Sequence, residues 1–428
     1  MKELLYPPFL QWEVTSECNH NCIHCYNYWR KDTEKNDEVA DHLSIAKKIV
    51  ERHPVSVVIT GGEPLLAFNS IKNSLKLLKD NGISLSINTN AVLVTDEIAE
   101  FLSEMNMSAF VSLPCSKADI CDEITNVSGS LDRISKGIKI LLKHNVKVTV
   151  NMVVSKKNLN YVYDTAKYAK EFLGIDRFFA SRVSKPINSD KEFIKELLSK
   201  DEVTLVYEEL LRISKELEMK TDTATPMPVC LFTSEEIFDR FAYCKNCTAG
   251  KTSYGLDCLG NIKACPRDVE IYGNILTDDF TEVWSKMKEW REGSFIPEEC
   301  KSCNVRNLCN GGCRLDAYPI TERRDSLDPI ACLENVPIKF TKQENKKDLP
   351  KGQLFSIPER KVLLKEKYGW RISVGRSFLI ITDELKNFLE SRTKFCINDF
   401  MNEFDVEYSL ANNAVSHLLA KGIISICE

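Results

Sequence analysis

Over residues 9–183, short apolar runs rich in β-branched residues alternate with longer segments of helical periodicity. The predicted strands are 9–17, 55–64, 83–90, 108–114, 147–155 and 176–183. Near-continuous apolar strands that alternate with helices indicate a parallel sheet covered by helices. Six such units are too few for a closed eightfold barrel, so we expect an α/β fold built on a partial (βα)6 TIM-like barrel. Active residues should then lie at the carboxyl ends of the strands.

The pattern changes twice after the barrel. Residues 190–220 show the periodicity of one or two amphipathic helices, and regular periodicity then fades as cysteine, glycine and asparagine become frequent. This composition, with little regular periodicity, is typical of a loop-rich domain held together by metal. A polar, basic linker precedes a last segment with a strand pair and helical patterns at 383–391, 397–404 and 409–421. We therefore predict three domains, which comprise residues 1–225, 226–338 and 353–428.

Composition narrows the function classes. The chain has 428 residues and a net charge of −5, which gives no electrostatic reason to expect a nucleic-acid partner. No apolar run is long enough to span a membrane, and the N-terminus lacks a secretory pattern, so we expect a cytoplasmic protein without a membrane partner. Seventeen cysteines beside six histidines then point to thiolate-bound metal rather than to disulfides.

Three cysteines follow the first strand within eight residues, in the order Cys18-x3-Cys22-x2-Cys25. An iron–sulfur cubane has four irons, each of which takes one external ligand, so three thiolates leave one iron open for a small molecule. The alternative is a zinc knuckle that borrows His20 or His24 as its fourth ligand. The position at the end of a strand favours catalysis.

This spacing resembles the signature of the radical S-adenosylmethionine (SAM) superfamily, C-x3-C-x-aromatic-C, in which His24 would take the aromatic position. The TGGEP stretch at 60–64 closes the second strand, as the glycine-rich motif of that superfamily does. The resemblance implies that the SAM amino group is held there by a set of four residues, Gly61, Gly62, Glu63 and Pro64. Glycines let backbone carbonyls approach closely, and a carboxylate suits an ammonium group.

Four further polar residues near strand ends are candidates for SAM contacts, namely Asn90, Ser112, Arg133 and Asn151. The resemblance suggests that Ser112 contacts the SAM carboxylate or ribose, and a guanidinium such as that of Arg133 suits a carboxylate. The SLPC sequence after the fourth strand departs from the family pattern. A cap or a sheet-end hydrogen bond is the alternative role for each of the four.

The second cysteine-rich region resembles the SPASM domain, which follows the radical SAM domain in several maturases. Its pattern here is C-x12-G-x4-C, then C-x2-C-x5-C-x3-C, then a last cysteine. The resemblance implies two auxiliary [4Fe–4S] clusters, hence three clusters in the chain. The outer cluster would be bound by Cys300, Cys303, Cys309 and Cys332. The inner cluster would be bound by Cys247, Cys265 and Cys313, with Cys244 as the favoured fourth ligand.

Two alternatives remain for the fourth ligand of the inner cluster: Cys258, or a vacancy that a substrate thiol fills. The other cysteines are interpreted as small buried hydrophobes, and they are Cys115, Cys121, Cys230, Cys396 and Cys427. Cys115 is the exception, because it follows a strand near the expected SAM pocket and could donate a hydrogen atom.

The last segment is similar to the small peptide chaperone of pyrroloquinoline quinone biosynthesis and to the recognition elements of ribosomally made, modified peptides (RiPPs). Those winged-helix-like α+β domains add an extended leader peptide to a sheet edge. Relatives often carry such a domain elsewhere, so its position here is a departure. A generic winged helix for dimerisation or DNA is the alternative, and the acidic chain disfavours DNA.

Together these resemblances imply a RiPP maturase that installs a thioether or carbon–carbon cross-link in a precursor peptide with a leader. Flavodoxin or ferredoxin would supply low-potential electrons, and SAM would be cleaved to a 5′-deoxyadenosyl radical that abstracts a hydrogen atom. One alternative is a sulfatase-maturating enzyme that forms formylglycine. It is disfavoured because relatives carry an aspartate where this chain has Pro266, although Asp268 is close. The other is a non-catalytic Fe–S sensor or scaffold.

Overall fold

The fold is described from a computed structural model. This structure describes residues 4–27, 39–187, 189–232, 234–242, 246–335 and 348–427. Cys244, the expected fourth ligand of the inner cluster, lies outside these residues.

Seven parallel strands form the barrel sheet. They are β1 (Phe9–Glu13), β2 (Ser56–Thr60), β3 (Ser84–Thr89), β4 (Ser108–Ser112), β5 (Lys147–Val154), β6 (Arg177–Arg182) and β7 (Lys220–Asp222). Neighbours in sequence are neighbours in the sheet, and each pair is parallel. The six predicted strands and the α/β partial barrel are confirmed. The seventh strand has three residues, which is too short for its alternation to show in the sequence.

Helices cover the outer face of this sheet. They are α1 (His42–Glu51), α2 (Phe68–Asp80), α3 (Asp96–Glu104), α4 (Ala118–Thr125), α5 (Ser130–Lys143), α6 (Val162–Glu171) and α7 (Lys200–Glu216). Their apolar stripes are buried, as Ile71, Leu75 and Leu78 of α2 illustrate. The amphipathic segment at 190–220 forms α7, which begins at a capping box between Ser199 and Glu202.

The cysteine-rich region shares the barrel sheet. Its elements are α8 (Glu235–Phe241), β8 (Ser253–Leu256), β9 (Asn261–Lys263), β10 (Gly273–Asn274), α9 (Phe280–Lys286), α10 (Lys288–Glu292), α11 (Glu298–Lys301), α12 (Arg306–Cys309) and α13 (Arg314–Thr321). Strand β8 pairs in parallel with β1, and β9 and β10 follow it antiparallel. The expected boundary at 225/226 is therefore not a break in the sheet, and both regions contribute to one hydrophobic core.

The C-terminal region forms a second core of its own. Its elements are β11 (Leu354–Ser356), β12 (Val362–Glu366), β13 (Gly369–Val374), β14 (Ser377–Ile381), α14 (Asp383–Glu390), β15 (Lys394–Cys396), α15 (Ile397–Phe404), α16 (Tyr408–Ala420) and β16 (Ser425–Ile426). The three predicted helices are present. The sequence predicted two strands over 361–382, but the structure has three. A short turn at Gly375 divides the second predicted strand into β13 and β14.

The C-terminal region docks on the amino ends of the barrel strands. Arg371 of β13 is fully buried, and its guanidinium donates hydrogen bonds to the backbone carbonyls of Tyr6 and His53. Arg376 donates to the carbonyl of Leu85 at 3.0 Å, near the start of β3. Active residues of such a sheet lie at its carboxyl ends, so this domain occupies the face opposite to them.

Candidate functional site

A cavity of about 550 Å³ opens at the carboxyl ends of the barrel strands. Most of the residues expected to bind cofactors line it, namely Cys18, Cys22, His24, Cys25, Gly61, Gly62, Glu63, Asn90, Ser112, Asn151, Cys247, Cys265 and Cys313. The radical SAM motifs and the inner-cluster cysteines therefore share one chamber. Its volume is within the usual range for small-molecule sites.

The cysteine loop is held against the end of α4. The N–H groups of Asn21 and Ile23 donate to the carbonyls of Thr125 and Ile124 at the end of α4, each at 3.0 Å. Within the loop, the N–H of His20 donates to Cys18 Sγ at 3.4 Å. Backbone hydrogen bonds thus set the path of a loop that has no regular secondary structure of its own.

The two glycines after β2 allow its backbone to touch the segment that leads into the cysteine loop. The N–H of Gly62 donates to the carbonyl of Thr15 at 2.8 Å, and that of Glu63 donates to the carbonyl of Glu17 at 2.7 Å. A Cβ added at Gly62 would lie 1.9 Å from the Glu17 oxygen. No other residue type fits this approach.

Glu63 is buried and ties the end of β2 to the end of β3. Its carboxylate accepts hydrogen bonds from Thr89 Oγ1 at 2.6 Å, from the Asn90 N–H at 2.7 Å and from the Leu65 N–H at 3.1 Å. Burial raises the pKa of Glu63 to about 7, although these donors oppose the shift. Two carboxylate oxygens accept about four hydrogen bonds, so one position remains for a cationic ligand.

His24 presents a neutral ring to the cavity. Protein surrounds the imidazole, and this burial lowers its pKa to about 4, while the accessible part of the ring faces the chamber. A neutral aromatic ring is what the position requires in the radical SAM signature, so the departure at residue 24 is a small one chemically.

The remaining expected SAM contacts divide into two groups. Asn90, Ser112 and Asn151 lie at the cavity wall, and Asn151 Oδ1 accepts a hydrogen bond from Ser181 Oγ at 2.9 Å. Arg133 is exposed, does not line the cavity, and donates to the carbonyls of Gly129 and Ser128 in its own helix start. Pro64 also lies outside the lining, as the first residue of a short 3-10 helix.

A buried ion network ties Cys313, one of the cysteines expected to bind the inner cluster, to the barrel. Arg182 at the end of β6 forms a bidentate pair with Asp328, at 2.8 and 2.6 Å, and also pairs with Asp316. Asp328 in turn accepts the Cys313 N–H at 2.9 Å. Arg267 pairs with Asp316 at 2.8 Å and lies 3.5 Å from Cys313 Sγ. Charged pairs therefore position Cys313, one of the cysteines that line the chamber.

The outer-site cysteines lie apart from the cavity lining and gather around a thiol that the sequence did not assign to them. Cys300, Cys303, Cys309 and Cys332 are accompanied by Cys230, whose sulfur accepts the Cys332 N–H at 3.3 Å. Cys230 was interpreted as an ordinary buried hydrophobe because nearly seventy residues separate it from Cys300 in the sequence. It is buried, but its neighbours are thiols.

Several other cavity residues were not anticipated. Thr89 supports Glu63, and Asn27 Nδ2 donates to the Gly61 carbonyl at 3.0 Å. Tyr26 also lines the chamber, close to both Cys25 and Cys265. Two of these three directly adjoin a recognised motif: Tyr26 follows Cys25, and Thr89 precedes Asn90. Strand-end placement was the signal that could have found Thr89.

The residues of the site fit the cofactors that the motifs imply. None of the described cysteines forms a disulfide, and within the described ranges no three Cys, His, Asp or Glu side chains are arranged around a single metal ion. In a cubane each thiolate binds a different iron, so the sulfurs need not converge on one point. Three thiols beside a buried carboxylate and close-approach glycines fit a cluster and a cationic ligand. In the part of the chain described, no helix has the length and apolar character needed to cross a membrane.

Comparison with known proteins agrees with this geometry. Residues 12–169 match the family model of the radical SAM superfamily. The AdoMet-dependent heme synthase of Methanosarcina barkeri is 25% identical over 74% of this chain and 93% of its own length. The mycofactocin maturase MftC of Mycolicibacterium smegmatis is 23% identical over 81% of this chain and 88% of its own.

Among solved structures, Streptococcus suis SuiB bound to the precursor peptide SuiA is similar in fold, with a TM-score of 0.61 and 21% identity. The match covers 76% of each chain. Sequence match, fold and the arrangement of the Cys18–Cys25 loop beside Gly61–Glu63 agree. Residues 12–169 of this chain therefore form a domain of the radical SAM superfamily.

Proposed function

We propose that the protein is a radical SAM peptide maturase that forms an oxidative cross-link, a thioether or a carbon–carbon bond, in a ribosomally made precursor peptide. The observation that carries this proposal is the single chamber shared by Cys18, Cys22 and Cys25 with the inner-site cysteines Cys247 and Cys265. A substrate in this chamber would touch both the site of radical formation and a site that can take up an electron.

Cys18, Cys22 and Cys25 would bind the SAM cluster, and Gly61–Glu63 would receive the amino group of SAM. When bound, and with one electron from a low-potential donor such as flavodoxin or ferredoxin, the cluster and SAM would supply a 5′-deoxyadenosyl radical for hydrogen-atom abstraction. The chain contributes position and exclusion of water. Asn90 donates from Nδ2 to Asn19 Oδ1 at 2.7 Å, which braces the cysteine loop against the end of β3. Phe110, edge-on to Phe179 at 5.5 Å, gives the chamber an apolar wall.

The C-terminal domain supports a peptide substrate. Its β12–β13–β14 meander is followed by α14, α15 and α16, the order found in leader-binding elements of RiPP enzymes. In the described part of the chain, β14 pairs with β13 only, so one of its edges is open to a further strand. Main-chain hydrogen bonds at such an edge bind extended peptides. SuiB, which is similar to this chain in fold, binds the precursor peptide SuiA, and MftC, which is similar in sequence, is a maturase.

The geometry disfavours the formylglycine alternative. A base for that reaction should reach the chamber, but Asp268 is fully buried, pairs with Arg324 at 2.5 Å and does not line the cavity. A sensor or scaffold would need no binding site for SAM. The alternative therefore does not explain why the Glu63 carboxylate lies beside the cysteine loop with one acceptor position left.

Two experiments test the proposal. In anaerobically reconstituted, reduced protein, Cys22→Ala should abolish 5′-deoxyadenosine formation, whereas Cys121→Ala, a buried thiol elsewhere in the barrel, should leave it unchanged. Normal SAM cleavage by Cys22→Ala would show that the cluster assignment is wrong.

Deletion of 353–428 should weaken binding of the leader peptide, measured by fluorescence anisotropy, and leave uncoupled SAM cleavage intact. The hydrophobic core of this domain is separate from that of the barrel. Unchanged leader affinity would remove the peptide argument and return the domain to a generic winged helix.

A further inference from the structure

Five thiols gather where an outer auxiliary cluster needs four. The Cys230 thiol lies within electrostatic range of the Cys303, Cys309 and Cys332 thiols. The Cys300 thiol lies within the same range of Cys230. A [4Fe–4S] cubane takes one thiolate per iron. One of the five is therefore surplus to the cluster that the cysteine spacing implies.

Cys230, which the cysteine spacing does not assign to the cluster, is packed more firmly than Cys332, which the spacing does assign. Cys230 is in a short 3-10 helix, Val229–Leu231, whose residues are all buried in the main core. Cys332 is partly exposed and is followed at once by Leu333, which is 42% exposed. A ligand on a core-packed segment holds its position, whereas one on a surface segment can move away at little cost.

The contact between the two residues shows how one could replace the other. The Cys332 N–H donates to Cys230 Sγ at 3.3 Å, so the sulfur already accepts the kind of hydrogen bond that stabilises a thiolate. Since the donor belongs to Cys332 itself, the two residues lie side by side at one corner of the site.

We propose that Cys230 is a reserve fourth ligand of the outer auxiliary cluster, which exchanges with Cys332 while Cys300, Cys303 and Cys309 remain bound. One thiolate–iron bond breaks and another forms. The incoming Cys230 thiol gives up its proton and the released Cys332 sulfur takes one up, so the exchange needs no oxidant or reductant. This inference rests on the auxiliary-cluster part of the proposed function.

Iron content and EPR spectroscopy of the reconstituted full-length protein test the inference. Wild-type protein should hold about twelve irons per chain, four in each of three clusters. Cys332→Ala should keep about twelve, with a shifted outer-cluster signal, because hydrogen bonds and ligands at the sulfurs set its electronic properties. Cys332→Ala/Cys230→Ala should fall to about eight. The matched control Cys332→Ala/Cys121→Ala should behave like Cys332→Ala alone.

A fall to about eight irons in Cys332→Ala alone would overturn the inference, and so would a double variant that keeps about twelve. If the double variant does not fold, the EPR spectrum of Cys332→Ala decides, since an absent outer-cluster signal also overturns it. Wild-type protein with only about four irons would instead refute the auxiliary clusters themselves. Formation of 5′-deoxyadenosine, measured on the same samples, reports separately on the SAM cluster.

Discussion

Gly62→Ala should separate the SAM motif from the cysteine loop. The new Cβ would lie 1.9 Å from the Glu17 carbonyl oxygen, 2.4 Å from its carbon and 2.8 Å from the Ser16 oxygen. To restore ordinary contact at 3.4 Å, the Glu17 carbonyl must retreat by about 1.5 Å. All three atoms belong to the backbone, so no side chain can rotate away. The displaced segment leads directly into Cys18.

Overpacking of this kind costs about 1–3 kcal/mol. If the strain is relieved by moving the cysteine loop, the affinity for SAM should fall by about 5- to 150-fold. Isothermal titration of the reconstituted protein with SAM measures this loss, and iron analysis shows whether the cluster is retained. Gly352→Ala is the matched control, because a Cβ there meets nothing within 4 Å and the backbone is not left-handed.

The reasoning would be refuted by a Gly62→Ala protein that binds SAM with wild-type affinity, keeps its iron and unfolds at the wild-type temperature. Equal losses in Gly62→Ala and Gly352→Ala would also refute it, since the effect would then come from the added methyl group rather than from the contact with Glu17.

Two further predictions concern pH and the buried ion network. Because burial raises the pKa of Glu63 to about 7, the neutral form prevails below that pH, and binding of the SAM ammonium should release a proton there. SAM affinity should therefore rise with pH up to about 7 and then level, and Glu63→Gln should abolish this dependence in calorimetric titrations. Asp328→Asn should leave Arg182 with Asp316 as its remaining carboxylate and cost about 3 kcal/mol. It should lower the thermal unfolding temperature and the iron content, whereas Asp325→Asn, which breaks an exposed pair, should change neither.

A flat pH profile in the wild-type protein would mean that Glu63 is ionised throughout, or that it does not meet the ammonium group. An Asp328→Asn protein with wild-type stability and iron would show that Asp316 alone neutralises Arg182.

Local patterns in the sequence were sufficient to predict the strands of the barrel. The six predicted strands carry apolar residues at most of their buried positions, as the alternation in β3 shows, so each can be recognised from its own residues whatever its neighbours are. The motifs at 18–25 and 60–64 were also readable, because each lies within one loop whose residues are consecutive. Their meeting in one cavity followed from the rule that parallel strands end at the same edge.

Contacts between distant segments were decided only by the tertiary structure. Arg133 has a side chain suited to a carboxylate, but the turn of its helix directs it to its own backbone and away from the cavity. The pairing of β8 with β1 and the docking of Arg371 beneath the barrel join residues more than two hundred positions apart. Cys230 joins the outer-site thiols in the same way. Periodicity and spacing report only on neighbours along the chain, whereas these partners are selected by packing.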